Sequence, residues 1–190
     1  MPNTPIFALP YPAQTDPPNG PGQIQALATA TETALGTVKA SPNNRPYFHG
    51  YTTGTQGGFA SATDTPVNIT AEFAKVNMTH PGGSSRVTPT VAGIYRVKAQ
   101  IMFPGGVGST ADDKRILATI RVNGSIPTGS KYGSAAAKTT GFVSQLAEYE
   151  TTVRCNGTSD YIEMWANHNM GGTLTLDPGS ILTIERVGDY

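Results

Sequence analysis

In Ile94-Tyr95-Arg96-Val97-Lys98-Ala99-Gln100-Ile101-Met102-Phe103 the side chains alternate along the backbone. Tyr95, Val97, Ala99, Ile101 and Phe103 fall on one side, and Arg96, Lys98 and Gln100 on the other. A period of two predicts a strand with one buried and one polar face. The same pattern recurs in Lys114 to Asn123, where Ile116, Ala118, Ile120 and Val122 share a face opposite Arg115, Thr119 and Arg121. Strands of this kind belong to antiparallel sheets packed on one side only.

Working outward, further strands are predicted at Gly58 to Ala62, Val67 to Ala71, Arg86 to Thr90, Phe142 to Cys155, Tyr161 to Ala166, Thr173 to Leu176 and Ile181 to Val187. Turn formers bound them, as at Asn123-Gly124, Asn156-Gly157, Gly171-Gly172 and Asp177-Pro178-Gly179. Roughly eight to ten short strands at this spacing predict an all-β antiparallel sandwich or jelly roll. No long helical stretch remains in this region to cover a parallel sheet.

Ahead of this head the chain has a different character. Prolines at 2, 5, 10, 12, 17, 18 and 21 make residues 1–22 an extended leader that can be neither a helix nor a central strand. Between them stand Ile6, Phe7, Leu9 and Tyr11, an apolar set that serves either to anchor the chain in a larger assembly or to fold back on its own domain. Residues 23–36 read as a short helix stopped by Gly36, with Ile24, Leu27, Ala28, Thr31, Ala34 and Leu35 on one face. Barely two heptads are marginal alone. Packing several copies around an axis, or packing once on the head, would bury that stripe; self-association as a trimer stem is the reading adopted. Residues 37–46 are predicted to be a hinge, and residues 47–190 a single head domain.

Charge and composition narrow the function. Lys plus Arg and Asp plus Glu are equal at 13 each, so no general attraction draws the chain to nucleic acid or an anionic membrane. Neither partner is expected. No signal peptide is legible in Met1 to Pro10, and no apolar run reaches membrane-spanning length. Cys155 is the single cysteine, which excludes an internal disulfide and a cysteine zinc site.

Several apparent sites dissolve on inspection. His49, His80 and His168 lack metal-ligand spacing, and the Asn68, Asn77, Asn123 and Asn156 sequons are of the kind an Asn- and Thr-rich chain contains by chance. Asp112-Asp113 lies in a loop suited to calcium but without the EF-hand pattern, and reads as a solvated loop. Pro104 to Ser109 lacks the Lys-Ser/Thr of a phosphate loop, and Ser144 and Ser159 have no nucleophile-elbow context. No enzyme and no cofactor are expected. Trp165 alternates with Tyr161 and Glu163, opposite Ile162, Met164 and Ala166, and so is predicted on the outer side. There Tyr161 and Trp165 would serve a subunit interface or a ligand platform, with the interface as the simpler reading.

Two resemblances add to these readings. Thr88 to Gln100 with Gly93 and Tyr95, the Asn123-Gly124 hairpin, Gly157 to Glu163 with Asp160, Tyr161 and Ile162, and the terminal Gly179 to Glu185 follow one another as in the C1q/TNF-like jelly-roll domain, which the chain resembles. Thr158 and Ser159 separate Gly157 from Asp160, a local departure from that pattern. The resemblance implies a homotrimer of ten-stranded jelly rolls. Phe7 to Pro17 followed by Gln23 to Ala28 is similar to the N-terminal attachment region of virion proteins of tailed bacteriophages of actinobacteria, of the head-fibre or minor tail type. That similarity implies a location on the virion surface, capsid or tail. It also implies a leader docked on major capsid or tail proteins, and outward loops that contact bacterial cell-surface glycans.

Overall fold

A computed structural model describes residues 20–40, 45–104, 115–130, 132–136 and 144–189. Ile6, Phe7, Leu9 and Tyr11 lie outside the described residues, as does Asp112-Asp113. The chain divides into two units, Met1–Arg45 and Pro46–Tyr190.

Of the first unit the structure describes one helix, α1 (Gly20–Ala40). Residues 20–22, read as the end of the extended leader, are helical instead: Pro21 occupies the first turn, where a missing amide hydrogen costs nothing because that donor has no helical acceptor. The expected stop at Gly36 is not observed, and residues 37–40, read as the start of a hinge, are helical. An interior glycine costs only about 1 kcal/mol, and Thr37-Val38-Lys39-Ala40 carries no breaker. The helix ends two residues before Pro42, which disfavours the helical conformation in the residue preceding it.

The second unit runs β1 (Tyr47–Tyr51), β2 (Gln56–Ala60), β3 (Thr65–Pro66), β4 (Ala71–Val76), β5 (Met78–Thr79), β6 (Thr88–Pro89), β7 (Gly93–Pro104), β8 (Arg115–Val122), β9 (Gly133–Ala136), β10 (Ser144–Cys155), β11 (Ile162–His168), β12 (Thr173–Leu176) and β13 (Ile181–Gly188). All pairings are antiparallel. A five-stranded sheet, β10-β7-β13-β1-β4, faces a four-stranded sheet, β3-β11-β8-β9, and the pairs β12-β2 and β5-β6 complete the walls. This is the antiparallel jelly roll read from the period-two segments.

The core forms between the sheets. From β7 come Tyr95, Val97, Ala99, Ile101 and Phe103, all fully buried, as their alternation predicts. Ile116, Ala118 and Ile120 of β8 and Ile162, Met164 and Ala166 of β11 meet them from the other sheet. Phe59 packs edge-on against Phe103, with ring centroids 5.7 Å apart. Each such side chain contributes roughly 1.5–3 kcal/mol by leaving water. The Tyr95 hydroxyl keeps a partner in this apolar setting by donating to the Val91 carbonyl at 2.5 Å.

One predicted strand is not observed, and one observed strand was not predicted. Val67 to Ala71 is not a strand; Val67 and Ile69 are buried core residues on an irregular run whose amides donate to the Met164 and Ser84 carbonyls, and pairing with β1 begins only at Ala71. Strand β1 escaped the sequence reading because Gly50 interrupts its apolar pattern. That glycine is required by close packing: a Cβ there would lie 2.5 Å from Ile69 Cγ2.

Candidate functional site: the outer face of the four-stranded sheet

Strands β8 and β11 pair with Arg121 opposite Glu163, Thr119 opposite Trp165 and Leu117 opposite Asn167. Alternation sends Arg121, Glu163, Trp165 and Asn167 away from the core. Loops bring further groups over the same face: Asp64 just before β3, Ser85 and Arg86 before β6, and Tyr132 before β9.

Glu163 is 3% exposed, although it points outward. Its carboxylate accepts hydrogen bonds from Ser85 Oγ at 2.9 Å, Trp165 Nε1 at 3.2 Å and, at 3.4 Å, Arg86 Nε. A buried carboxylate requires such donors, since an unsatisfied charge away from water is costly. The Arg86 guanidinium also lies over the Tyr161 ring at 4.3 Å, and that of Arg121 over the Trp165 ring at 4.0 Å. Two arginine–aromatic stacks therefore flank one buried acid.

Arg121 is tied down further. It pairs with Asp64 and donates to the Gly124 carbonyl at 3.3 Å, while its Nε is buried with no partner among the described residues. Asp64 also accepts from the Tyr132 hydroxyl at 2.9 Å and Asn167 Nδ2 at 2.6 Å. Burial raises the Tyr132 phenol above its ordinary pKa, and its hydrogen bond to Asp64 adds to the rise, against the opposing effect of nearby Arg121. Arg86, Glu163, Arg121 and Asp64 together carry no net charge.

The sequence-predicted site residues are placed as follows. Tyr161 and Trp165 sit together on this face, half-buried, each with an arginine of its own chain on its ring. Trp165 is thus a support for Arg121 on the ring face that the guanidinium covers. On α1, Ile24 and Leu35 are 70% and 61% exposed, Leu27 and Ala28 are exposed, and Thr31 and Ala34 are half-buried. Sequence reading missed Asp64, Arg86, Tyr132 and Asn167, because only the sheet pairing brings them within reach of one another.

The three histidines have separate local partners. His168, fully buried, satisfies both nitrogens as the tautomer that donates from Nε2 to the Phe59 carbonyl at 2.7 Å and accepts from the Met170 amide at 3.3 Å. His80 lies between Glu72 at 2.8 Å and the Ser84 carbonyl at 3.0 Å, and His49 lies 3.3 Å from the Thr183 hydroxyl. Among the described residues no group of three or more His, Cys, Asp or Glu side chains is placed to hold a metal ion.

The fold is a TNF-like jelly roll. Among solved structures the chain is similar to Eiger TNF from S. frugiperda, at 12% identity and a TM-score of 0.51, over 77% of this chain and 96% of that one. It is also similar to murine APRIL, at 14% identity and a TM-score of 0.51, over 75% of this chain and 99% of that one, and to the same protein in a second structure at 12% and 0.50. At this identity the likeness establishes the fold alone. No family model matches the sequence, and no curated protein matches it.

Proposed function

We propose that the chain is a non-enzymatic structural protein of a bacteriophage surface: a homotrimer that anchors through its leader and presents three jelly-roll heads as a capsid fibre or decoration. The observation that carries the trimer is α1. A helix with Ile24, Leu27 and Leu35 exposed leaves about three large apolar groups in water, a cost removed when equivalent helices pack their stripes together. The TNF-like fold of the head supports the same state through the resemblance that implies it.

The virion location is supported by the leader's similarity to phage attachment regions. Non-enzymatic presentation fits the outer face, where Glu163 and Asp64 are engaged by donors of the same chain rather than held for a reacting group. Outward loops rich in neutral polar groups suit contact with envelope glycans. Trimerisation multiplies weak contacts of that kind, because later ones become intramolecular.

Gold-labelled antibody on intact particles, viewed by electron microscopy, tests the location. Label around the head is the expected result. Label at the tail tip would replace the capsid role with that of a minor tail protein acting in host attachment, and unlabelled particles would remove the virion reading.

A further inference from the structure

We propose that Asp64, Tyr132 and Asn167 form a subsite for an uncharged sugar on the outer face of the four-stranded sheet. The proposal rests on the glycan contact inferred above and assigns it to named atoms. Asp64 holds the other two in place, accepting from Tyr132 Oη at 2.9 Å and Asn167 Nδ2 at 2.6 Å. Each partner then keeps capacity for a ligand. The Asn167 amide oxygen has no partner among the described residues, its second amide hydrogen is likewise uncommitted, and the Tyr132 oxygen, having donated, can still accept.

That inventory matches a pair of sugar hydroxyls. A hydroxyl donates once and accepts twice, so neighbouring hydroxyls on one ring can engage an amide edge and a phenol oxygen together. Tyr132 is 40% exposed, which leaves ring surface for the C–H face of a pyranose or furanose. Trp165 cannot supply that surface on its covered face, since Arg121 lies over it at 4.0 Å.

The Asp64 carboxylate disfavours an anionic ligand. Arg121 is the cation nearest the subsite, but it is paired with Asp64 and stacked on Trp165. An acidic sugar would meet the Asp64 carboxylate, and Arg121, the cation bonded to that carboxylate, is already committed. The subsite is preorganised because Asn167 is fixed in β11 and Asp64 holds both partners before a ligand arrives, which lowers the ordering cost of binding.

The test uses the full-length protein on an array of neutral hexose and pentose oligosaccharides beside uronic-acid and phosphate-bearing ones. Asn167→Ala and Tyr132→Ala are compared with Arg96→Ala on the opposite sheet. The expected result is binding to neutral glycans, weakened roughly tenfold or more by either site variant and unchanged in Arg96→Ala. Fluorescence of the single Trp165 and the scattering mass certify that each variant remains folded and assembled. Binding confined to acidic glycans, binding insensitive to both variants, or no glycan bound at all would each overturn the subsite. The trimer and the particle location stand or fall separately, on scattering and labelling.

Discussion

Replacing Glu163 separates the two things its buried carboxylate supplies, hydrogen-bond acceptance and charge. Glu163→Ala removes the acceptor for Ser85 Oγ and Trp165 Nε1, at 2.9 and 3.2 Å, and for Arg86 Nε at a marginal 3.4 Å. Bonds to a charged acceptor contribute about 1.5–3 kcal/mol, partly offset because the desolvated charge is also removed. The Arg86 pair adds little, since that side chain is 59% exposed and water screens it. The net cost is about 1–3 kcal/mol. Glu163→Gln keeps the shape. Its amide oxygen accepts from Trp165 and its amide nitrogen donates to Ser85 Oγ, so the loss is below about 1 kcal/mol. Urea denaturation at fixed protein concentration measures both variants. Because the chain has one tryptophan, hydrogen-bonded to this carboxylate, its emission reports the site directly. A glutamine variant as unstable as the alanine one would show that charge, not acceptance, stabilises the face. A neutral alanine variant would show that the network contributes nothing.

The remaining expectations are simpler. Phe103→Ala empties a fully buried site between Phe59 and His168 and should cost about 3–5 kcal/mol in the same assay. Gly157→Ala should cost at least about 2 kcal/mol, because φ is +74° and the new Cβ would lie 2.5 Å from the Val91 carbonyl carbon; a neutral result would refute the turn geometry. Burial pushes the Cys155 thiol up to about 12 and the Tyr95 phenol up to about 12. Both are acids held neutral by the fold, so the stability they contribute is complete at neutral pH and is lost as pH rises from their ordinary values of 9.0 and 10.0 towards 12. Thiol labelling at pH 8 should therefore be slow until the protein is unfolded; fast labelling of folded protein would refute the buried placement. Glu72 carries the opposite sign. Its hydrogen bond from Lys75, with that from His80, lowers its pKa, so its contribution is present above the ordinary carboxylate range and fades on acidification, which Glu72→Gln should abolish in a stability–pH profile.

Strands β7, β8 and β10 to β13 were legible because uninterrupted alternation, bounded by Asn-Gly, Gly-Gly and Pro-Gly turns, states both period and ends. The hairpin at Asn123-Gly124 shows why: both residues take positive φ there, 54° and 76°, which that dipeptide tolerates. Strands β1 and β4 were not legible. Gly50 hides the buried side of β1, and β4 lies at a sheet edge with Phe73 80% exposed, so its pattern does not separate inside from outside. At the candidate site, alternation put Tyr161 and Trp165 on the outer side together with Glu163, whose burial there it did not foretell. The difference comes from Ser85 and Arg86, which are distant in sequence and reach Glu163 through the Val87–Ile162 bridge that joins their segment to β11. Long-range pairing of this kind leaves no local signal. Likewise the helix end was misplaced at Gly36, since one glycine weakens a helix without ending it.

Self-association is the claim on which the proposed role depends, and light scattering of the purified full-length chain tests it most directly. One species of three times 19.9 kDa is expected across the micromolar range, and Ile24→Asp combined with Leu35→Asp weakens it by placing charge in the stem stripe. A stable monomer of 19.9 kDa would contradict it.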